Sequence, residues 1–413
     1  MTILRWIISI GVLIIHGSIP LAGQIPTTAD ERALALDIHQ AIDYAMQHSQ
    51  DLVALMKRGD VARAETKIEQ ELNNPSFIVE DTRSQPHYFV GGGYVFELGG
   101  KRSKRIKAAT HEATIAGFNL TAGRRDLRHD VRIAFYSALQ SRERRLRISD
   151  SRDLAEHLFT IAQQRFDAGD VAKFDVLQAA LDLKRRENEL KQADSDMKGA
   201  NVKLNALLNR PLEDPIELLG SMEDNPPHLS LETLLDAAVA QKIEVMAIQQ
   251  EILAEEARLA LARAGRIPDL DVEAGVEIND ADVMYGWRGA LKMELPILNQ
   301  KTGEINRSNA LLESLRAEEA SARLKARSEI VAAFLTYQAA HEQAVNYSKE
   351  ILPAADEIKE LSQESYHEGK TGILAALDAQ RSMHEVRLEY LDTLMNFQTA
   401  LADLEQAAGV DIE

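Results

Sequence analysis

Hydrophobic positions along this chain recur at two periods, and the changes of period divide it. Leu190, Ala193, Met197, Ala200, Leu204 and Leu207 are spaced by three or four, as are Leu391, Leu394, Phe397, Leu401, Leu404 and Ala408. Such spacing puts one apolar stripe on a helix, and the small residues in it permit close coiled-coil contact. From Leu270 the period becomes two: Leu270, Val272, Ala274, Val276 and Ile278 alternate with Asp271, Glu273, Gly275 and Glu277. A second run sets Tyr285, Trp287, Gly289, Leu291, Met293 and Leu295 against Gly286, Arg288, Ala290, Lys292 and Glu294. Earlier in the chain Tyr88, Val90, Gly92, Tyr94, Phe96 and Leu98 alternate with Phe89, Gly91, Gly93, Val95 and Glu97. A shorter partner runs from Phe77 towards Arg83. Alternation of this kind predicts four strands, each with one apolar and one wet face.

The long strands have about the 9–11 residues that cross a bilayer at a tilt. An aromatic-rich apolar face opposite a charged one is expected where one side meets lipid and the other water. A soluble hairpin packed on the helices is the alternative. Four strands cannot close a barrel, because small closed barrels start near eight. On the membrane reading the chain must oligomerise to cover its strand edges, and Asp271, Glu273, Glu277, Arg288 and Lys292 face the lumen.

Punctuation shows that the pattern occurs twice. Asp37 caps a helix over Ile38–Leu72 that Asn73-Asn74-Pro75 ends; Ser230 caps a second over Leu231–Arg266 that Pro268 ends. Asp37/Ser230, Asp43/Asp236 and Pro75/Pro268 share an offset of 193, and Gln163/Gln363, Phe166/Tyr366, Gly169/Gly369, Leu177/Leu377 and Ala179/Ala379 an offset of 200. The second copy therefore carries seven extra residues, most easily placed among its strands. Lys101 to Asn209 contains no proline, and glycine suits the turn between two antiparallel helices, so Gly169 and Gly369 mark the tips of long helical hairpins. Pro353 should kink or interrupt the second. The segments are 24–75 (first helical segment), 76–98 (β-hairpin), 99–210 (long helical hairpin), 211–230 (proline-rich linker), 231–268 (second-copy helix), 269–297 (second β-hairpin) and 298–413 (second long helical hairpin). The predicted fold class is mainly α with a small transmembrane β part.

Composition narrows the function. A formal net charge of −18 argues against nucleic acid as a partner. With no cysteine, disulfides, thiolate metal sites and acylation at an N-terminal cysteine are excluded. Arg5, the apolar run Trp6–Ile15 and the small residues around Ala22 and Gly23 read as a signal peptide over 1–23, with an uncleaved anchor as the alternative. Gly369-Lys370-Thr371 lacks the first glycine of a phosphate loop, and His384-Glu385 lacks the second histidine of a zinc-protease helix. No nucleophile, base and oxyanion set is present, so neither an enzyme nor a cofactor is expected, nor a resident metal site.

The duplicated order of helix, strand pair, long helix, glycine tip and return helix resembles the TolC-like outer-membrane efflux family over roughly Leu36 to Gly409. Phe96-Glu97-Leu98-Gly99-Gly100-Lys101-Arg102 and Leu295-Pro296-Ile297-Leu298-Asn299-Gln300-Lys301 resemble the strand-to-helix junctions of its CzcC-type, heavy-metal branch. The resemblance implies a homotrimer in outer-membrane lipid, with a 12-stranded barrel continued by a periplasmic helical tunnel. It implies docking through Gly169, Asp170, Val171, Gly369, Lys370 and Thr371 to a periplasmic adaptor and an inner-membrane pump of the resistance-nodulation-division type. Family members often carry two aspartates after the tip glycine; this chain keeps Asp175 in one copy and Asp378 in the other, which makes these the aperture candidates. A soluble periplasmic adaptor or structural coiled-coil protein is the alternative function.

Overall fold

The computed structural model describes residues 34–83, 86–223, 230–232, 235, 242–279, 284–368 and 370–410. The expected signal peptide, Gly369 and most of residues 224–241 lie outside them. In chain order the elements are β1 (Leu34–Leu36), α1 (Ile38–His48), α2 (Gln50–Gln70), β2 (Ser76–Asp81), β3 (Tyr88–Phe96), α3 (Lys101–Asp167), α4 (Lys173–Leu207) and β4 (Ile216–Leu218). There follow α5 (Ile243–Ala264), β5 (Leu270–Asn279), β6 (Met284–Met293), α6 (Thr302–Asn346), α7 (Leu352–His367) and α8 (Ile373–Ala408).

The helix expected over Ile38–Leu72 is two helices. Asp37 caps the first as foreseen: its carboxylate accepts from the Gln40 amide at 2.8 Å, while the Gln40 side chain accepts from the Asp37 amide. At Ser49 the backbone turns extended (φ −64°, ψ 121°) and the hydroxyl accepts from the Leu52 amide, so a second N-cap interrupts the run. Lys242, 193 residues later, is likewise extended (φ −60°, ψ 123°) and precedes α5. Of the helix expected from Leu231 to Arg266, Leu231, Glu232 and Leu235 are helical, Lys242 is not, and a described helix runs from Ile243 to Ala264; the remaining residues before Lys242 lie outside the described ones. The duplication thus extends to a helix break that apolar spacing does not reveal.

Helix α3 has 67 residues, roughly 100 Å at 1.5 Å per residue. It is the spine of the chain, packing on α1, α2 and α5 as well as on α4 and α8. The main core lies midway, where Phe135, Tyr136 and Leu139 of α3 meet Ile42 of α1, Leu204 of α4, Tyr337 of α6 and Phe397 and Leu404 of α8. Part of the linker joins this core: β4 pairs in parallel with β1, Leu36 opposite Leu218. The strand pair β1–β4 was not foreseen, because three-residue strands carry too little pattern to show a period.

Tip geometry follows from the glycine. Gly169 sits at φ +84°, where an L side chain is strained, and the Asp170 amide closes back on the Arg165 carbonyl at 2.8 Å. In the second copy the Lys370 amide reaches the corresponding Ser365 carbonyl at 2.9 Å. Pro353 interrupts its helix as expected, through a π-turn over Tyr347–Ile351 that lets α7 restart with the proline in its first turn.

Candidate functional site: a charged sheet face and two helix tips

The four long strands form one antiparallel sheet in the order β2-β3-β5-β6, which joins the two copies through β3 and β5. The second copy's strands have ten residues each against six and nine in the first, which takes up most of its extra length. The β3–β5 register sets Val95 opposite Asp271, Gly93 opposite Glu273, Gly91 opposite Gly275 and Phe89 opposite Glu277. In β5–β6, Asp271 faces Lys292 and Gly275 faces Arg288. All five charges expected on one face therefore share it, and Glu80 of β2 joins them through Phe89. On the opposite face Trp287 is 89% exposed, Phe77 78% and Leu291 72%. A large apolar surface left uncovered in one chain marks a membrane or partner contact.

The charged face is internally paired. Arg288 donates to Glu80 at 2.8 Å and lies 3.6 Å from Glu277, and Lys292 pairs with Glu273. The Arg288 guanidinium also stacks 3.6 Å from the centre of the Phe89 ring. Phe89, although on the polar face, is only 2% exposed. Its ring lies over Gly91 and Gly275, where an added Cβ would come within 2.5 Å of it. Glycine at both positions makes the bed for the ring. Alternation placed Phe89 on this face; its burial depends on pairing strands that lie far apart in sequence.

Asp269 fastens the sheet to the helices, accepting from the Leu98 amide at 3.0 Å and the Lys101 ammonium at 2.8 Å. Gly100 (φ +65°) and Lys301 (φ +56°) occupy matching left-handed positions immediately before α3 and α6.

At the far end of the helices, Gly169, Asp170, Lys370 and Thr371 are exposed and Val171 half-buried. Lys370 pairs with Glu368 at 2.5 Å. Both tips pack together through Leu158, Ala162, Val176, Ala179, Tyr366 and Ala376. Asp175 is half-buried in the first turn of α4 and Asp378 is exposed on α8; among the described residues neither forms an ion pair within the chain. Beyond Asp378, an open cavity of about 410 Å³ is lined by Arg144, Asp182, Arg186, Glu189, Arg381, His384 and Glu385. His384 is buried there, and burial, together with the Arg186 charge, pushes its pKa below the ordinary imidazole value against the pull of Glu189. This charged cavity between hairpins was not foreseen, because it depends on which faces of α4 and α8 meet. Among the described residues no cluster of three or more histidine or acidic side chains is arranged to hold a metal ion. No described helix is long and apolar enough to cross a membrane.

Comparison with known proteins bears on the whole arrangement. The family model described as outer membrane efflux protein matches residues 41–210 and 234–410, one match for each copy. The cobalt-zinc-cadmium resistance protein CzcC of Cupriavidus metallidurans is 26% identical over 392 residues, 93% of either chain. Among solved structures, CusC superposes with a TM-score of 0.75 at 16% identity, covering 93% of this chain and 95% of its own. VceC of Vibrio cholerae gives 0.73 at 18% identity over 91% and 97%. These likenesses establish the TolC-like fold, and the family match favours an outer-membrane channel over the soluble adaptor. With its duplicated hairpins, two-faced sheet and paired family matches, this chain belongs to the outer membrane efflux protein family.

Proposed function

We propose that the chain is the passive outer-membrane conduit of a tripartite efflux system for heavy-metal cations. The observation that carries the reading is the sheet: its apolar face is exposed, its charged face is paired, and both edge strands, β2 and β6, are open. Open edges invite pairing with another copy. Three copies would supply a closed 12-stranded barrel, with Trp287 and Leu291 towards lipid and Asp271, Glu273, Glu277, Arg288 and Lys292 towards water. The helices would continue the lumen through the periplasm. Gly169, Asp170, Val171, Gly369, Lys370 and Thr371 would dock a periplasmic adaptor and, through it or directly, an inner-membrane pump of the resistance-nodulation-division type. Asp378, with Asp175 near it in height above the tips, would ring the aperture.

Cations are favoured by charge. Four carboxylates on the polar sheet face (Glu80, Asp271, Glu273, Glu277) outnumber two cations (Arg288, Lys292), so each copy gives the lumen an acidic balance. The resistance named for the Cupriavidus relative, to cobalt, zinc and cadmium, points the same way. The test is deletion of the gene and challenge with cobalt, zinc, cadmium, copper, silver and a panel of organic drugs. Sensitisation to divalent cations, restored by the wild-type gene, is expected; sensitisation to drugs alone would overturn the substrate assignment. In planar bilayers Asp378→Ala should raise single-channel conductance, and wild-type conductance would remove Asp378 from the aperture.

A further inference from the structure

Where α3 passes the end of α8 and the start of α5, its arginines gather around a second cavity. Arg124, Arg125, Arg128 and His129 of α3 line a half-open space of about 240 Å³, with Asp43 of α1 and Glu405 of α8. Spacings of three and four put these four basic side chains on neighbouring positions of one helix face. Only one guanidinium nitrogen of Arg125 has a partner: Nη2 donates to Glu244, in the first turn of α5, at 2.6 Å. The Arg125 side chain is 15% exposed, and its Nε and Nη1 are buried with no hydrogen-bond partner among the described residues. Nη1 lies at the α8 end of the cavity, 3.7 Å from where a Cβ added at Gly409 would stand. The nearby acids are engaged elsewhere or face solvent. Both Glu405 oxygens accept from Arg132 at 2.6 Å, Asp403 and Asp130 hold His129, and Asp43 is exposed.

A buried donor without an acceptor is costly, and more so when the donor carries charge. A water would accept one N–H and leave the mutual repulsion of three arginines in place. An anion answers both, because charge-assisted bonds from guanidinium groups to an oxyanion are the strong ones. We propose that this cavity binds a small tetrahedral oxyanion, phosphate or sulfate, through Nη1 of Arg125 and the guanidinium groups of Arg124 and Arg128. Bound there, the ion ties α3 of the first copy to the end of α8 and, through the Arg125–Glu244 pair, to the start of α5 in the second. Arg125 lies 24 residues beyond Lys101, roughly 36 Å by helix rise from the sheet end of α3. On the membrane reading above, that distance puts the cavity out of reach of lipid headgroups around the sheet, so the ion comes from solution. The cavity lies within one chain, so its occupancy is tested separately from the conduit and from its oligomeric state.

Calorimetric titration of inorganic phosphate, and separately of sulfate, into the full-length protein in detergent tests the site. With ionic strength held constant by chloride, one saturable site per chain is expected, with a parallel rise in unfolding temperature. Arg125→Gln should weaken phosphate binding at least about tenfold, the size of one hydrogen bond to a charged group. Glu244→Gln keeps Arg125 and removes the carboxylate that competes for it, so this variant should bind phosphate more tightly than the wild type. An arginine with a purely structural role would give no such gain. Arg124→Gln, at the exposed rim, is a second loss variant that does not depend on how well Arg125→Gln folds; it should weaken binding severalfold and leave the unfolding temperature without phosphate unchanged. No saturable heat with either anion, or one affinity shared by the wild type, Arg124→Gln and Arg125→Gln, would overturn the site. Asp411 and Glu413 follow the cavity-lining Val410 in sequence. If Asp411→Asn/Glu413→Gln bound phosphate and the wild type did not, the occupant would be a carboxylate of the chain itself, which would equally overturn a site for a free ion.

Discussion

On Arg288 two interactions converge, an ion pair with Glu80 and a cation–π contact over the Phe89 ring. A planar guanidinium can satisfy both, as a lysine ammonium could not. Alternation along the strands assigned Arg288 and Leu291 to opposite faces, and the observed register does the same. That much is legible because a period of two is local. The bed of Gly91 and Gly275 under Phe89 is not, since it exists only once β3 and β5 are paired. The two faces predict opposite consequences for neighbouring substitutions. Leu291→Arg, which places charge on the face proposed to meet lipid, should cost roughly 2–4 kcal/mol near the bilayer middle. Arg288→Gln should leave folding into lipid largely intact and raise the cation-to-anion permeability ratio, because Glu80 and Glu277 lose their counter-charge. Refolding titrations into vesicles measure the first and reversal potentials the second. Equal stability losses for the two variants would mean that the assignment of faces is wrong.

At the scale of elements, the long helices and strands were readable because each sustains its period over many residues. Three features were not readable, each for a different reason. The break at Ser49 depends on a single hydroxyl reaching the Leu52 amide. The pairing of β1 with β4 joins segments far apart in sequence. The interruption at Pro353 was expected, but its form as a π-turn was not, because proline only removes a donor and leaves the repair to its neighbours. Glycine at the first tip makes the clearest element-level prediction. An added Cβ at Gly169 would meet no neighbouring atom, so a substitution there is opposed by the backbone alone. Holding an L residue in the left-handed region costs roughly 1–2 kcal/mol, and a β-branched side chain stiffens the chain further. Gly169→Val should therefore fray the last turn of α3 and weaken cross-linking to the adaptor proposed to dock there. The sheet, roughly 100 Å away by helix rise, should be untouched. Hydrogen exchange read along α3 locates the effect; loss of protection in β3 or β5 would contradict it.

At the scale of the whole molecule, the duplication was readable from constant offsets, and it anticipates a four-stranded sheet shared by both copies. How the two hairpins are fastened to each other was not, because the fastening groups lie on different helices and follow no period. Two histidines in that fastening respond to pH with opposite sign. His129 of α3 lies 2.8 Å from Asp403 of α8 and 3.1 Å from Asp130. Burial opposes its charge, but these two carboxylates outweigh burial and raise its pKa above the ordinary value near 6.5. Its contribution to packing is complete below that ordinary value and is lost as pH rises through the raised one. His384 of α8, nearer the tips, is pushed the other way by burial and by Arg186, with Arg144 adding to the effect and Glu189 and Asp182 opposing it. Its packed form is neutral, so its contribution holds above about 6.5 and is lost as pH falls towards the lowered value. Asp403 and His384 are 19 residues apart on α8, roughly 28 Å by helix rise. Acidification from about pH 8 to below 6 should therefore tighten α8 against α3 around Asp403 and loosen it around His384, close to the candidate aperture. Hydrogen exchange along α8, corrected for the intrinsic effect of pH, should show protection rising at one site and falling at the other. His384→Gln, which cannot take up the proton, should abolish the loosening and leave the response around Asp403 unchanged. If both regions shifted in the same direction, or if His384→Gln loosened with acid as the wild type does, the two histidines would not be the groups that set the pH response of this interface.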